Sequence, residues 1–265
     1  MTDTALTFTV SDGTVLSRGL VEIDNELLWV SSFDRTSGVA TVAPYGRGFR
    51  GTTAAAHDAG TRVTISPSFP RAVITEAVND AIDGLYPDLF AIGSTTFPFV
   101  AVRTTYAMPT DTVDAQQVTW QTIGPSLEWL PIRKYRVDTM ADTATWPTGK
   151  TISVYDAIIP GRTIRVSYTK PADRLANLTD DFSVTGLSDS VKEVVVLGAA
   201  YRMASYLDVG RTPVQGVEAD MMQQNNPIGS GMQVSRALYQ LYAQRLQVEV
   251  RRQQEQFQAR IRFTR

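Results

Sequence analysis

The sequence predicts an α+β protein: a helical bundle of three main helices, an inserted antiparallel β-sandwich, and a small N-terminal β-barrel or β-rich module. Apolar residues alternate with polar ones through two stretches, 4–66 and 97–170, with Gly, Pro and Asp between the runs. They recur every three to four residues through 69–91, 188–207 and 232–259. At 265 residues the chain is long enough for two or three modules.

The first β stretch opens with LTFTV, alternating at Leu6, Phe8 and Val10, and turns at SDG (11–13). GLVEI and ELLWV flank Asp24-Asn25, a hairpin signal. VATVA follows the turn DRTSG, and TRVTI closes a set of five short strands. In the first helix Ile74, Ala77/Val78, Ala81/Ile82, Leu85/Tyr86 and Leu89 form one apolar face, with Ser68 as cap and Pro70 in the first turn. FPFVAV, QQVTW, SLEWLPI, KYRVD, TISVY and TIRVSY then read as sandwich strands.

Val191, Val194/Val195, Gly198/Ala199, Tyr201/Arg202 and Leu207 trace the second helix. Ser188 or Ser190 is its cap, Ser190-x-x-Glu193 matches a capping box, the small residues at 198–200 allow another helix to come close, and Gly210 stops the helix. In the third helix Leu238, Leu241/Tyr242, Leu246 and Val248 face a core, and the stripe fades beyond Val250. The resulting organisation is a β module at 1–67, a helical core at 68–95 and 187–258, a β-sandwich at 96–175, a long loop at 208–231 and a tail at 259–265.

Composition narrows the chemistry. There is no cysteine, so disulfides, thiolate nucleophiles and Cys-ligated metals are excluded. A net charge near −2 gives no global pull towards nucleic acid. No apolar run is long enough for a membrane span, and the first residues lack the pattern of a secretory signal. The 21 Arg against 4 Lys reflect either base composition or interface use, since guanidinium groups make flat bidentate contacts. The chain's single histidine, His57, cannot build a multi-histidine metal site, and no Gly-x-Ser-x-Gly elbow accompanies it. Asp180/Asp181 and Glu218/Asp220 lack calcium-loop spacing and read as solvated loop acids. No cofactor and no catalytic residue are expected.

The stretch PYGRGFRGTTAAAHDAG (44–60) contains Gly46, Gly48 and Gly51, a literal G-x-G-x-x-G. A dinucleotide site needs a full crossover helix behind the glycines and an acid about 20 residues on. Here TTAAAHD offers two helical turns at most, and no acid lies between Ala59 and Thr75. The glycines are expected to serve a tight connection through positive φ.

From Arg245 to Arg265 there are six Arg and two Glu, a local charge of +4. Three readings stand: a solvated helix end, a nucleic-acid contact, and a docking segment. The tail ARIRFTR alternates Ile261 and Phe263 with Arg260, Arg262 and Arg265, so it suits strand addition to a partner's sheet edge.

The segment VATVAPYGRGFRGTTAAAHDAGTRV resembles a module found in structural proteins of tailed bacteriophages. Arg47, Gly48, Phe49, Gly51, Thr52, Thr53, Ala54, Ala55, His57, Gly60 and Val63 carry the resemblance, and EIDNELLWVSSFD before it fits too. Across 69–265 the order of helix, β insertion, helix, long loop and long helix is similar to that of head-to-tail adaptor (connector) proteins. The N-terminal β module is an addition to that pattern. The resemblance implies a non-enzymatic virion protein of the neck, assembled in the bacterial host cytoplasm. It implies a dodecameric ring of the chain with itself, bound to the portal and to a head-completion, stopper or tail-terminator protein. Genomic DNA would touch it transiently and without specificity, and no membrane is involved. Arg251, Arg252, Phe257, Arg260, Ile261, Arg262 and Phe263 are then the portal-docking candidates. Other virion roles (baseplate, tail tip, decoration) remain open, as does, more remotely, a tail-associated hydrolase.

Overall fold

The computed structural model describes residues 1–123, 127–177, 179–209 and 230–257. It comprises two compact units, Met1–Val78 and Asn79–Arg265.

The first unit is built on β1 (Thr7–Thr9), β2 (Gly19–Ile23), β3 (Glu26–Asp34), β4 (Val39–Val42) and β5 (Val63–Ile65). They form one antiparallel sheet in the order β1-β4-β3-β2-β5. Asp24 takes a positive φ of 52° in the two-residue turn between β2 and β3. Alternate side chains of the sheet bury Phe8, Val21, Ile23, Leu28, Val30 and Val42 with Leu16. Each such side chain contributes about 1.5–3 kcal/mol.

The expected barrel does not close. β1 and β5 are the sheet's edges and are not paired with each other among the described residues. The sheet curls far enough for both to border a cleft of about 350 Å³. Five antiparallel strands leave the two edge strands running in the same direction, so an all-antiparallel ladder cannot join them.

The second unit holds two antiparallel sheets. One consists of β6 (Ala91–Pro98), β12 (Thr163–Lys170), β8 (Asp114–Gln121) and β9 (Trp129–Pro131), in that order. The other runs β10 (Tyr135–Asp138), β11 (Thr151–Val154), β7 (Thr105–Ala107). Both feed one hydrophobic cluster that includes Tyr106, Val118, Ile152, Val154, Ile164 and Val166. Phe97 of the first sheet stacks on Tyr106 of the second at 4.4 Å between centroids.

Three helices occur among the described residues: α1 (Arg71–Asp83), α2 (Lys192–Val209) and α3 (Ser230–Gln256). α1 starts later than predicted. Its first turn is capped by Glu22 of β2, whose Oε1 accepts the Arg71 N–H at 2.5 Å, rather than by Ser68. It stops at Asp83, before Gly84 and Pro87. Leu85 and Leu89 stay buried beyond its end, which is why their spacing read as helix.

The helices do not form the predicted bundle; the protein is α+β and organised mainly by its three sheets. α2 and α3 pack along each other. Yet α3, 27 residues long, fully buries only Tyr242 and Glu249 among its described side chains. A helix that buries so little cannot share a bundle core. Helix contact narrows at Gly198 of α2, where an added Cβ would lie 3.0 Å from Ala81 Cβ of α1 and 3.2 Å from the Tyr242 ring of α3. Gly198→Leu is therefore expected to destabilise the second unit by about 1–3 kcal/mol through overpacking. Denaturant unfolding of the variant beside the native chain measures it.

Candidate functional site

Glu26 lies at the start of β3 with its side chain fully buried, and its carboxylate is a hub. Arg47 grips it with two bonds, Nε to Oε1 at 2.6 Å and Nη2 to Oε2 at 2.9 Å. The N–H groups of Gly48 and Ala55 donate to it at 3.0 Å each. His57 Nε2 stands 2.9 Å from Oε2, while Nδ1 stands 2.8 Å from Asp24 Oδ2. A ring facing carboxylates at both nitrogens donates to both only as the imidazolium. Burial pushes the Glu26 carboxyl up, but Arg47, the two N–H groups and His57 outweigh it and hold it at about 2.

The same cluster fastens the chain's first residues. Arg47 Nη1 donates to the carbonyls of Thr2 and Ala5, at 2.9 and 2.7 Å. The His57 N–H donates to Met1 O at 2.8 Å, and the Met1 amino group donates back to His57 O at 2.7 Å. The glycine run thus forms a clasp. Gly48 and Gly51 take positive φ of 59° and 81°. Gly46 is needed for another reason: a Cβ there would meet the Trp29 and Ala43 carbonyls at 2.8 and 2.9 Å. The Thr-Thr-Ala stretch behind the glycines is not helical, so no helix N-terminus faces a phosphate.

At the other end of the chain, α3 is tied down by polar groups. Glu249, 2% exposed, accepts the Ser190 hydroxyl at 2.6 Å and pairs with Arg245 at 3.3 Å and Arg252 at 3.1 Å. The predicted capping box is replaced by this arrangement: Ser190 reaches α3, and Glu193 pairs with Arg245 at 2.8 Å. Gln253 donates to Phe90 O at 2.7 Å and accepts from Phe90 N–H at 3.2 Å, while Phe257 packs on the Phe90 ring at 6.1 Å. Sequence reasoning missed these anchors because Gln and Glu do not register in an apolar stripe.

Of the docking candidates, Arg251 is exposed, Arg252 is paired with Glu249, and Phe257 is partly covered by Phe90. Arg260, Ile261, Arg262 and Phe263 lie outside the described residues, as do residues 210–229 of the expected loop 208–231 with the proposed stop at Gly210; the described ends of that stretch, Asp208, Val209, Ser230 and Gly231, belong to α2 and α3. One flank of α3 is apolar and open: Val234, Leu241 and Val248, seven residues apart, are 52%, 52% and 46% exposed. That interval places them in one stripe. Among the described residues no group of three or more His, Asp and Glu is placed to hold a metal, and no helix is long and apolar enough to cross a membrane.

The model of the SU10 adaptor protein family matches residues 52–263, most of the chain. The chain belongs to the SU10 adaptor protein family. This makes it a phage structural adaptor, a component of the virion. No curated protein matches it. The SU10 adaptor match begins at Thr52, inside the clasp, so the strands β1 to β4 and Glu26 precede the matched region.

Proposed function

We propose that this SU10 adaptor is a head-to-tail adaptor of the phage neck. In this reading copies of the chain close into a dodecameric ring that joins the portal to a downstream head-completion, stopper or tail-terminator protein and lines part of the DNA conduit. The mechanism is assembly. The observation that carries the reading is the exposed Val234–Leu241–Val248 stripe. Its helix is already held along the neighbouring face, about 100° round the axis, by Tyr242 and Glu249, which leaves the stripe exposed for packing against the next subunit. Closed rings require such heterologous side-to-side surfaces on every copy. A slightly acidic chain also suits a conduit that must let DNA pass.

The double variant Leu241→Asp, Val248→Asp places two charges on the stripe at exposed positions. The chain is expected to stay folded but to fail to form rings on purified portal, seen by sedimentation and electron microscopy. Normal rings from this variant would show that the subunit contact lies elsewhere.

A further inference from the structure

The three-stranded sheet of the second unit turns Tyr135, Val137, Ile152 and Val154 towards the hydrophobic cluster. Its opposite face presents the alternate residues Arg136, Asp138, Ser153 and Thr105. Together with the segment after β10 this face forms a cleft of about 290 Å³, to which Asp142, Trp146 and Tyr155 also contribute. We propose that the cleft binds a neutral saccharide ring.

Four features support that class of ligand. The two aromatic side chains offer flat apolar surface of the kind that packs on sugar C–H groups, and Tyr155 is 59% exposed. Hydroxyl-bearing ligands need donors and acceptors side by side. Arg136 supplies donors and has no ion-pair partner among the described residues; Asp138 and Asp142 supply acceptors. Two carboxylates against one guanidinium disfavour a phosphate backbone or an acidic polymer. Hydrogen bonds to the Ala144 N–H and the Thr145 hydroxyl hold the Asp142 carboxyl below its ordinary range, so it is an acceptor at neutral pH.

The site is also built in advance of any ligand. Met140 N–H donates to Asp138 Oδ1 at 2.9 Å, Trp146 N–H to Asp142 O at 2.8 Å, and Ala141 N–H to Gly149 O at 3.0 Å. Arg103 lies over the Trp146 ring at 5.2 Å and over Tyr106 at 5.6 Å, which fixes the indole against the sheet. The volume sits at the small end of ligand pockets, about 300 Å³, which suits a single ring. The neck reading makes no claim on these residues, so the two stand or fall separately.

The test is saturation-transfer NMR on the full chain with maltotriose, lactose and N-acetylchitotriose as probes. Transfer to at least one of them is expected, falling to background in Tyr155→Ala and in Trp146→Ala. Circular dichroism checks that each variant is folded; Tyr155, being exposed, carries the test if the Trp146 variant does not fold. No transfer from the native chain to any probe would overturn the assignment, and so would transfer that persists in the folded variants. Binding of a single-stranded oligonucleotide through the same two aromatics, without a sugar response, would also overturn it.

Discussion

Glu26→Ala is expected to unfold the N-terminal unit. The substitution strands the buried Arg47 guanidinium, leaves the N–H groups of Gly48 and Ala55 without their acceptor, and removes one of the two carboxylates that face His57. Breaking a buried pair from one side costs about 3–5 kcal/mol, a large share of a small unit's stability. Trp29, the one tryptophan among residues 1–78, reports on this unit in a full-length chain whose Trp120, Trp129 and Trp146 are replaced by Phe. Its fluorescence transition should move to much lower denaturant while far-UV signals of the second unit persist. The acid limb gives a second readout. Glu26 is held at about 2 in the folded unit against an ordinary value of 4.5. A depressed folded value means that the stabilisation is complete above about 4.5 and is lost as pH falls towards 2, on the order of 3 kcal/mol in all. Glu26→Gln should flatten that slope. An unchanged Trp29 transition in Glu26→Ala would show that the clasp is peripheral to the unit's stability.

Truncation after Phe257 is expected to leave a folded chain that no longer joins the portal. Gln253 and Phe257 hold the end of α3 through Phe90, so the cut spares every anchor described for that helix. What it removes is Arg260, Ile261, Arg262 and Phe263, the alternating residues proposed to dock as a strand. Loss of two apolar anchors at roughly 2 kcal/mol each lowers portal affinity on the order of 1,000-fold. Light scattering or pull-down with purified portal measures it. Portal binding equal to that of the full chain would place the docking surface on another part of the molecule.

Much of the fold could be read in the residues, and the failures have physical causes. The strands of the first unit announce themselves by period-two alternation and a two-residue turn. The glycine run was readable as a tight connection because no full helix or ribose acid follows it, and Gly48 and Gly51 take the positive φ that such a connection uses. Glu22 and Glu26 were not readable as buried charges. In V-E-I-D-N-E-L-L their charge alone argues for solvent, whereas one caps α1 and the other, paired across the hairpin with Ile23, centres the clasp. The start of β6, Ala91-Ile92-Gly93-Ser94, carries a glycine and a serine and reads as loop. There the Tyr168 ring lies over Gly93 from the neighbouring strand, and a Cβ would come within 2.4 Å of it. The bundle was over-read because helical periodicity shows that one face is buried, not how many partners cover it. In α3 the partners are α2 and a few polar anchors, and the rest of the helix remains open.

The site followed the same pattern. His57 and Arg47 stood out in the sequence, and the structure brings them together with Glu26, a residue that no local signal marks. The apolar flank of α3 reads as core in the sequence: its spacing puts Leu241 and Val248 inward, and both face out beside Val234.

The most direct measurement is the copy number of this chain in purified phage particles, by quantitative mass spectrometry with the portal as internal standard. A neck adaptor ring predicts a ratio close to one copy per portal subunit. A large excess over portal, a small fraction of it, or absence from the particle would contradict the neck assignment.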